Sequence, residues 1–297
     1  MKILKSYGYG VKRAVLEPKM IFVLWLINIL FSSVIFFLFL KYLTAALGNS
    51  PAAEGLLKKF DFNIFFELII HKGGPLQTIF YAAFILACLF FLVSIFLNGG
   101  ILSVLISSHR SSEDQGEGRR FSRVFFQGAG QFFDRFFRLC IYALILWIAV
   151  VLIHLLLNFA LKPLTADGTN EKLMFYLILI QVAVGVFFVF LVHMILDYAC
   201  IKIVIEDSRS VFRSLFQMTG FVFRRFGKTL ALYYLLIMTG AGLCVIHWFI
   251  QKSIQTSSFL PILVAFTVGQ VFILSRGWLK IAFQAAQLDY YSSNLEK

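Results

Sequence analysis

Apolar residues fall into six long runs, near 20–40, 78–101, 139–161, 173–196, 229–250 and 260–284, separated by segments richer in Lys, Arg and Gln. Each run approaches or exceeds the roughly 20 residues that a helix needs to cross about 30 Å of hydrocarbon. The runs are apolar on every side rather than striped, as helices surrounded by lipid are. The pattern predicts an all-α fold, a polytopic membrane helical bundle of six transmembrane helices. The longest connections, 41–77 and 102–138, hold 37 residues each, so residues 1–297 are read as a single transmembrane domain with no separate soluble part. Within 41–77, the stretch 60–70 (FDFNIFFELII) lies between Lys58-Lys59 and Gly73-Gly74. It predicts a short interfacial or partly re-entrant helix on the far side of the membrane.

Three polar-apolar segments precede the odd-numbered runs. In 121–138, Phe121, Phe125, Phe132, Phe133, Phe136 and Phe137 recur at helical spacing, with Arg123, Gln127, Gln131, Asp134, Arg135 and Arg138 on the other face. In 209–228 the polar stripe is Arg209, Arg213, Gln217, Arg224 and Lys228, backed by Phe212, Leu215, Phe216, Phe223 and Phe226. The N-terminal version sets Ile3, Leu4, Tyr7, Val11 and Val15 against Lys2, Lys5, Lys12 and Arg13. Basic amphipathic helices of this kind lie in the membrane interface with their aromatic face in the acyl boundary. The alternative is a helix packed on the bundle.

Placing Gly8, Gly130 and Gly220 in register aligns Arg13, Arg135 and Arg225, and Trp25 with Trp147. The second run of each pair ends in Leu97-Asn98, Leu196-Asp197-Tyr198 and Leu288-Asp289-Tyr290, at Gly-to-Asx separations of 90, 67 and 69 residues. Pro75, Pro163 and Pro261 sit in the far-side connections or at the start of even-numbered runs, where a missing N–H costs least. These correspondences predict three repeat-like units, 1–108, 121–207 and 208–297, each an interfacial helix followed by a span out and a span back.

Composition agrees with the membrane reading. The chain is 60% hydrophobic and 14% charged, against about 25% charged in soluble domains. The net charge of +12 could suggest nucleic acid, but its placement argues otherwise. Segments on the N-terminal side of the bundle carry 5, 6, 6 and 3 Lys and Arg, against 4, 2 and 1 on the other. Positive charge is retained inside during insertion, so both termini are expected in the cytoplasm of a multi-pass cell (inner) membrane protein. A first run of about 20 residues exceeds a signal-peptide core, so no cleaved leader is expected. Cys88, Cys140, Cys200 and Cys244 stand singly and are read as packing residues, with no metal or cofactor expected.

Ionisable groups inside the apolar runs are the candidates for chemistry. His193 and Asp197 stand four apart on one helix face and form a possible intramembrane polar pair; an interfacial anchor is the bland alternative for Asp197. Arg276 and Lys280, with Gln270, Gln284 and Gln287 nearby, fit a basic cavity for a lipid phosphate. The alternative, which the pattern favours somewhat, is a short sixth span (about 257–275) followed by an interfacial helix carrying both cations. Lone His154 and His247 are read as packing. No P-loop, H-E-x-x-H or G-x-S-x-G motif occurs, and no selectivity-filter or Arg-ladder sequence, so an enzyme is not expected.

The N-G-G at 98–100 is followed by a basic loop and the amphipathic segment 121–138. The run 196–216 (LDYACIKIVIEDSRSVFRSLF) ends a span and leads into a helix. Together they resemble a loose bacterial superfamily of six-span membrane proteins that includes YciC-type proteins and the membrane domain of some glycerophosphoryl diester phosphodiesterases. The resemblance covers most of the chain, and the Phe-rich 60–70 departs from it. It implies a cytoplasmic-membrane protein of envelope or lipid homeostasis and brings no catalytic residues. The role expected is lipid or amphiphile binding, with Arg135, Arg225, Arg276 and Lys280 engaging anionic headgroups. A scaffold subunit with a membrane-protein partner and a small-solute transporter are the alternatives. Membrane lipids, not nucleic acid, are the expected partners.

Overall fold

The computed structural model describes residues 2–48, 73–110, 117–165, 171–254 and 258–295; the helix expected over 60–70 lies outside them. Among the described residues the regular elements are eight helices and no strand. They are α1 (Lys2–Leu16), α2 (Pro18–Leu47), α3 (Gly73–Arg110), α4 (Glu117–Thr165), α5 (Glu171–Ile205), α6 (Val211–Arg224), α7 (Phe226–Ser253) and α8 (Phe259–Leu295). Helices α2, α3, α4, α5, α7 and α8 are long and apolar enough to cross a membrane. The protein is therefore an all-α, multi-pass membrane bundle.

The breaks between helices follow local chemistry. Pro18 opens α2, where its missing N–H is one that a helix start leaves unbonded anyway. Arg225, at φ −124°, separates α6 from α7, its N–H shared between the carbonyls of Phe221 and Val222. The second amphipathic segment has no such break. Residues 121–138 and the following span form the single 49-residue helix α4, about 74 Å long and more than twice the hydrocarbon thickness. The separate interfacial helix expected there is absent, because neither Pro nor a cap interrupts the hydrogen-bond ladder between Phe121 and Ile141.

The chain divides into two compact units: Ile21–Ser94, and Met1–Met20 with Ile95–Lys297. The division cuts through the segment 1–108. In the first unit α2 and the outer part of α3 run together, with Phe31 and Phe90 edge-to-face at 5.2 Å. Asn28, inside the apolar run, returns its side-chain N–H to the Leu24 carbonyl at 2.7 Å, so its polarity is satisfied within the helix.

Among the described residues the core of the second unit gathers at one end. Ile101, Leu102, Phe125, Met194, Ile201, Val222, Leu232, Ile281 and Ala285 are buried there. The opposite halves of α4, α5, α7 and α8 leave Ile153, Phe159, Phe175, Leu179, Phe249 and Phe266 exposed. Apolar surface on that scale is the face a bundle turns to hydrocarbon. The packed end carries α1, α6 and the first part of α4, and we call it the basic end.

Small residues make the close contacts. Ser6, Gly10 and Ala14 of α1 are buried one turn apart, and a Cβ on Gly10 would lie 2.6 Å from the Ala282 carbonyl oxygen and from the Ala286 Cβ. Such stripes let backbones approach where lipid supplies no hydrophobic drive. Gly99 meets Gly128 and Ala129 across α3 and α4, where Ser103 Oγ donates to the Gly99 carbonyl at 2.8 Å. Helix α6 packs on α5. Each amphipathic segment thus rests on an even-numbered span: α1 on α8, α4 on α3, α6 on α5. Leu4, Phe126 and Phe216, each four residues before Gly8, Gly130 or Gly220, are 65%, 62% and 74% exposed. The residues two positions before and after those glycines (Ser6 and Gly10, Gly128 and Phe132, Met218 and Val222) are all buried. So each segment packs one face on the bundle, as the alternative reading expected, and turns the other outward.

Candidate functional site

The polar side chains of the apolar helices gather at the basic end around α8. Gln284 donates to Asn98 Oδ1 of α3 at 2.6 Å, and Gln287 donates to Asp197 Oδ2 of α5 at 3.3 Å. Asp289 faces His109 Nε2 of α3 at 4.0 Å. Asn98, Asp197 and Asp289, aligned in sequence by position alone, therefore lie on even-numbered spans that α8 joins together.

His193 and Asp197 do not hydrogen-bond to each other. The imidazole is exposed and meets Trp147 edge-on at 5.6 Å, while Asp197 takes Gln287 instead. His193 and Lys280 both lie within electrostatic reach of the Asp197 carboxylate. Lys280 is half-buried on α8, and Arg276, one turn earlier, is exposed. Neither makes an ion pair among the described residues. Measured from Phe259 at 1.5 Å per residue, they stand about 26 and 32 Å along the helix, a length comparable to the ~30 Å of a hydrocarbon core. The short span with a separate interfacial helix is not what forms there: α8 continues without a break to Leu295.

Arg135 is already engaged. Its Nη1 donates to Asp207 Oδ1 at 2.6 Å and its Cζ lies 5.2 Å from the Phe132 ring centroid. Asp207 also accepts from Gln131 at 3.2 Å. Hydrogen bonding from Arg135 holds the Asp207 carboxyl below its ordinary pKa. Asp207 has φ +47°, a left-handed conformation that Asp tolerates better than most residues, and it sits in the turn between α5 and α6. The pair pins that turn to α4. Arg13 is likewise paired, to Glu17 Oε1 at 2.7 Å.

Arg225 differs. Its guanidinium lies over Phe221, Cζ to ring centroid 5.1 Å, and its buried Nη1 has no hydrogen-bond partner. Around the same Phe221 ring stand Tyr198 at 5.5 Å, Tyr290 at 6.4 Å and Tyr291 at 5.3 Å between centroids. Tyr291 donates to Glu206 Oε1 at 3.1 Å, and Glu206 is paired with Lys202 at 2.5 Å. The tyrosine cluster was not foreseen, although Leu-Asp-Tyr occurs twice, at 196–198 and 288–290. Asp207 was missed too, since its partners lie 76 and 72 residues away in the chain.

Two open grooves flank the site. One, of about 480 Å³, is lined by Ile3 and Leu4 of α1 with Ala231, Tyr234, Leu235 and Met238 of α7. The other, of about 420 Å³, runs between α3, α4 and α5 past Ser103, Ser107, Gln127 and Gln131. Among the described residues no group of His, Cys, Asp and Glu has the geometry of a metal site. Set against protein-family models, curated proteins and solved structures, the chain matches none of them.

Proposed function

We propose that this multi-pass protein binds anionic amphiphiles at the cytoplasmic headgroup level of a bacterial cell membrane, serving lipid or envelope homeostasis. The observation that carries the reading is Lys280: half-buried, one turn from exposed Arg276, at the depth where an apolar helix of this length leaves hydrocarbon. A cation placed there attracts anionic headgroups by about 1 kcal/mol. The groove between α1 and α7 offers acyl chains an apolar seat beside the interface. Outward-turned Leu4, Phe126 and Phe216 support insertion of the three amphipathic segments into the acyl boundary. Their shared register also supports three repeat-like units, and the resemblance to six-span envelope proteins points the same way. The scaffold reading draws on the dense packing of the basic end, which needs no ligand to hold it.

Native mass spectrometry of the purified protein tests the proposal. Neutralising both cations (R276Q/K280Q) is expected to remove most of the retained anionic lipid while leaving neutral lipid in place. Unchanged anionic lipid in that variant would overturn it.

A further inference from the structure

We infer a second, distinct oxyanion site at the basic end, built by Arg225, Tyr198 and Tyr290 around Phe221, that takes a phosphate group. It rests on three buried polar atoms without partners. Tyr198 and Tyr290 are each 1% exposed, yet neither hydroxyl closes a hydrogen bond. Asn294 lies beside Tyr290 and donates to its backbone carbonyl at 2.6 Å, and the hydroxyl itself has no partner at hydrogen-bonding geometry. The third atom is Arg225 Nη1. Burying such groups unpaired costs free energy, and native proteins seldom leave them so. The guanidinium can only donate and the two hydroxyls can donate, so a negatively charged acceptor satisfies all three at once.

The other two aligned arginines show what that partner replaces. Arg13 meets the Glu17 carboxylate at 2.7 Å and Arg135 meets Asp207 at 2.6 Å. Among the described residues Arg225 has no carboxylate in its place. An exogenous oxyanion fills the position that Glu and Asp fill in the other two. Two acids near the cluster are engaged elsewhere: Glu206 pairs with Lys202, and Asp197 accepts from Gln287. Arg225 is only half-buried, which leaves a way in from the headgroup side. Two hydroxyls and a guanidinium suit a phosphate, supplied by a lipid headgroup or by free phosphate.

Thermal unfolding of the full chain in phosphatidylcholine nanodiscs separates the sources. Inorganic phosphate is added at constant ionic strength in one arm, and phosphatidic acid is built into the disc in the other. A rise in Tm with inorganic phosphate assigns a soluble anion, and a rise with phosphatidic acid alone assigns a headgroup. No rise in either arm overturns the inference. The double variant Y198F/Y290F is expected to unfold at a higher temperature than wild type without anion, because its unbonded hydroxyls are gone, and to lose the anion-dependent rise. Retention of the full rise would overturn the inference. Arg225→Gln should weaken binding about tenfold or more, and Arg225→Lys, which keeps the charge and protects folding, should lose less. The same measurements in the R276Q/K280Q background distinguish this site from the one proposed above. There the rise persists if the sites are separate, and its loss would contradict a second site.

Discussion

Gly8 and Gly10 stand two residues apart on α1 and do opposite things. A Cβ on Gly8 would meet nothing within 4 Å, whereas one on Gly10 would sit 2.6 Å from a backbone oxygen of α8. Backbone cannot swing aside as a side-chain tip can. Gly10→Ala is therefore expected to destabilise the protein by roughly 1–3 kcal/mol, the usual range for overpacking. Gly8→Ala is expected to be neutral or to stabilise by about 0.5–1 kcal/mol through helix propensity. Thermal unfolding of both variants in one detergent checks the pair, and equal effects would refute the packing account. The stripe Ser6, Gly10, Ala14 was readable in the chain. The periodicity of Lys and apolar residues drew attention to a different face, and small residues carry no hydrophobic signal. Arg135 and Arg225 illustrate the complementary limit. They look identical in register, and only the fold reveals that one has met Asp207 while the other has met only an aromatic ring.

At the scale of elements, the six spans were legible because hydrocarbon thickness imposes a run length that chance rarely produces. Their ends were less so. Helix α4 absorbed the second amphipathic segment since nothing in 121–138 stops a helix, whereas Pro18 and the turn at Arg225 divide the other two copies. The join between α4 and the α5–α6 turn depends on a charge pair, which gives it a pH signature. Asp207 is held ionised by Arg135, with its pKa lowered in the folded protein. A depressed carboxyl contributes stability above its unfolded pKa and loses it as pH falls through the folded value. Wild type should thus exceed Asp207→Asn in Tm at neutral pH. The difference should shrink in acid below the ordinary Asp range, and it should shrink with added salt because the carboxylate is exposed. A gap that is constant with pH would assign the effect to the turn conformation and not to the ion pair.

At the scale of the whole molecule, the asymmetry of the larger compact unit matters more than any one contact. The second unit is sealed by small residues, buried Gln287 and buried tyrosines at its basic end, while its other end presents aromatic and aliphatic side chains outward. That arrangement needs hydrocarbon around the exposed halves and headgroups around the basic segments. The anionic-amphiphile proposal and the oxyanion inference both presuppose it. Helix α1 packs on the C-terminal part of α8, with Gly10 against Ala282 and Ala286, and the charge bias along the chain leads us to expect both termini in the cytoplasm. Compartment reporters inserted beside Lys172 and fused after the last residue give the most direct test of this account. It predicts opposite sides, with the C-terminal reporter in the cytoplasm and the one at Lys172 outside. Both reporters on the same side would contradict it.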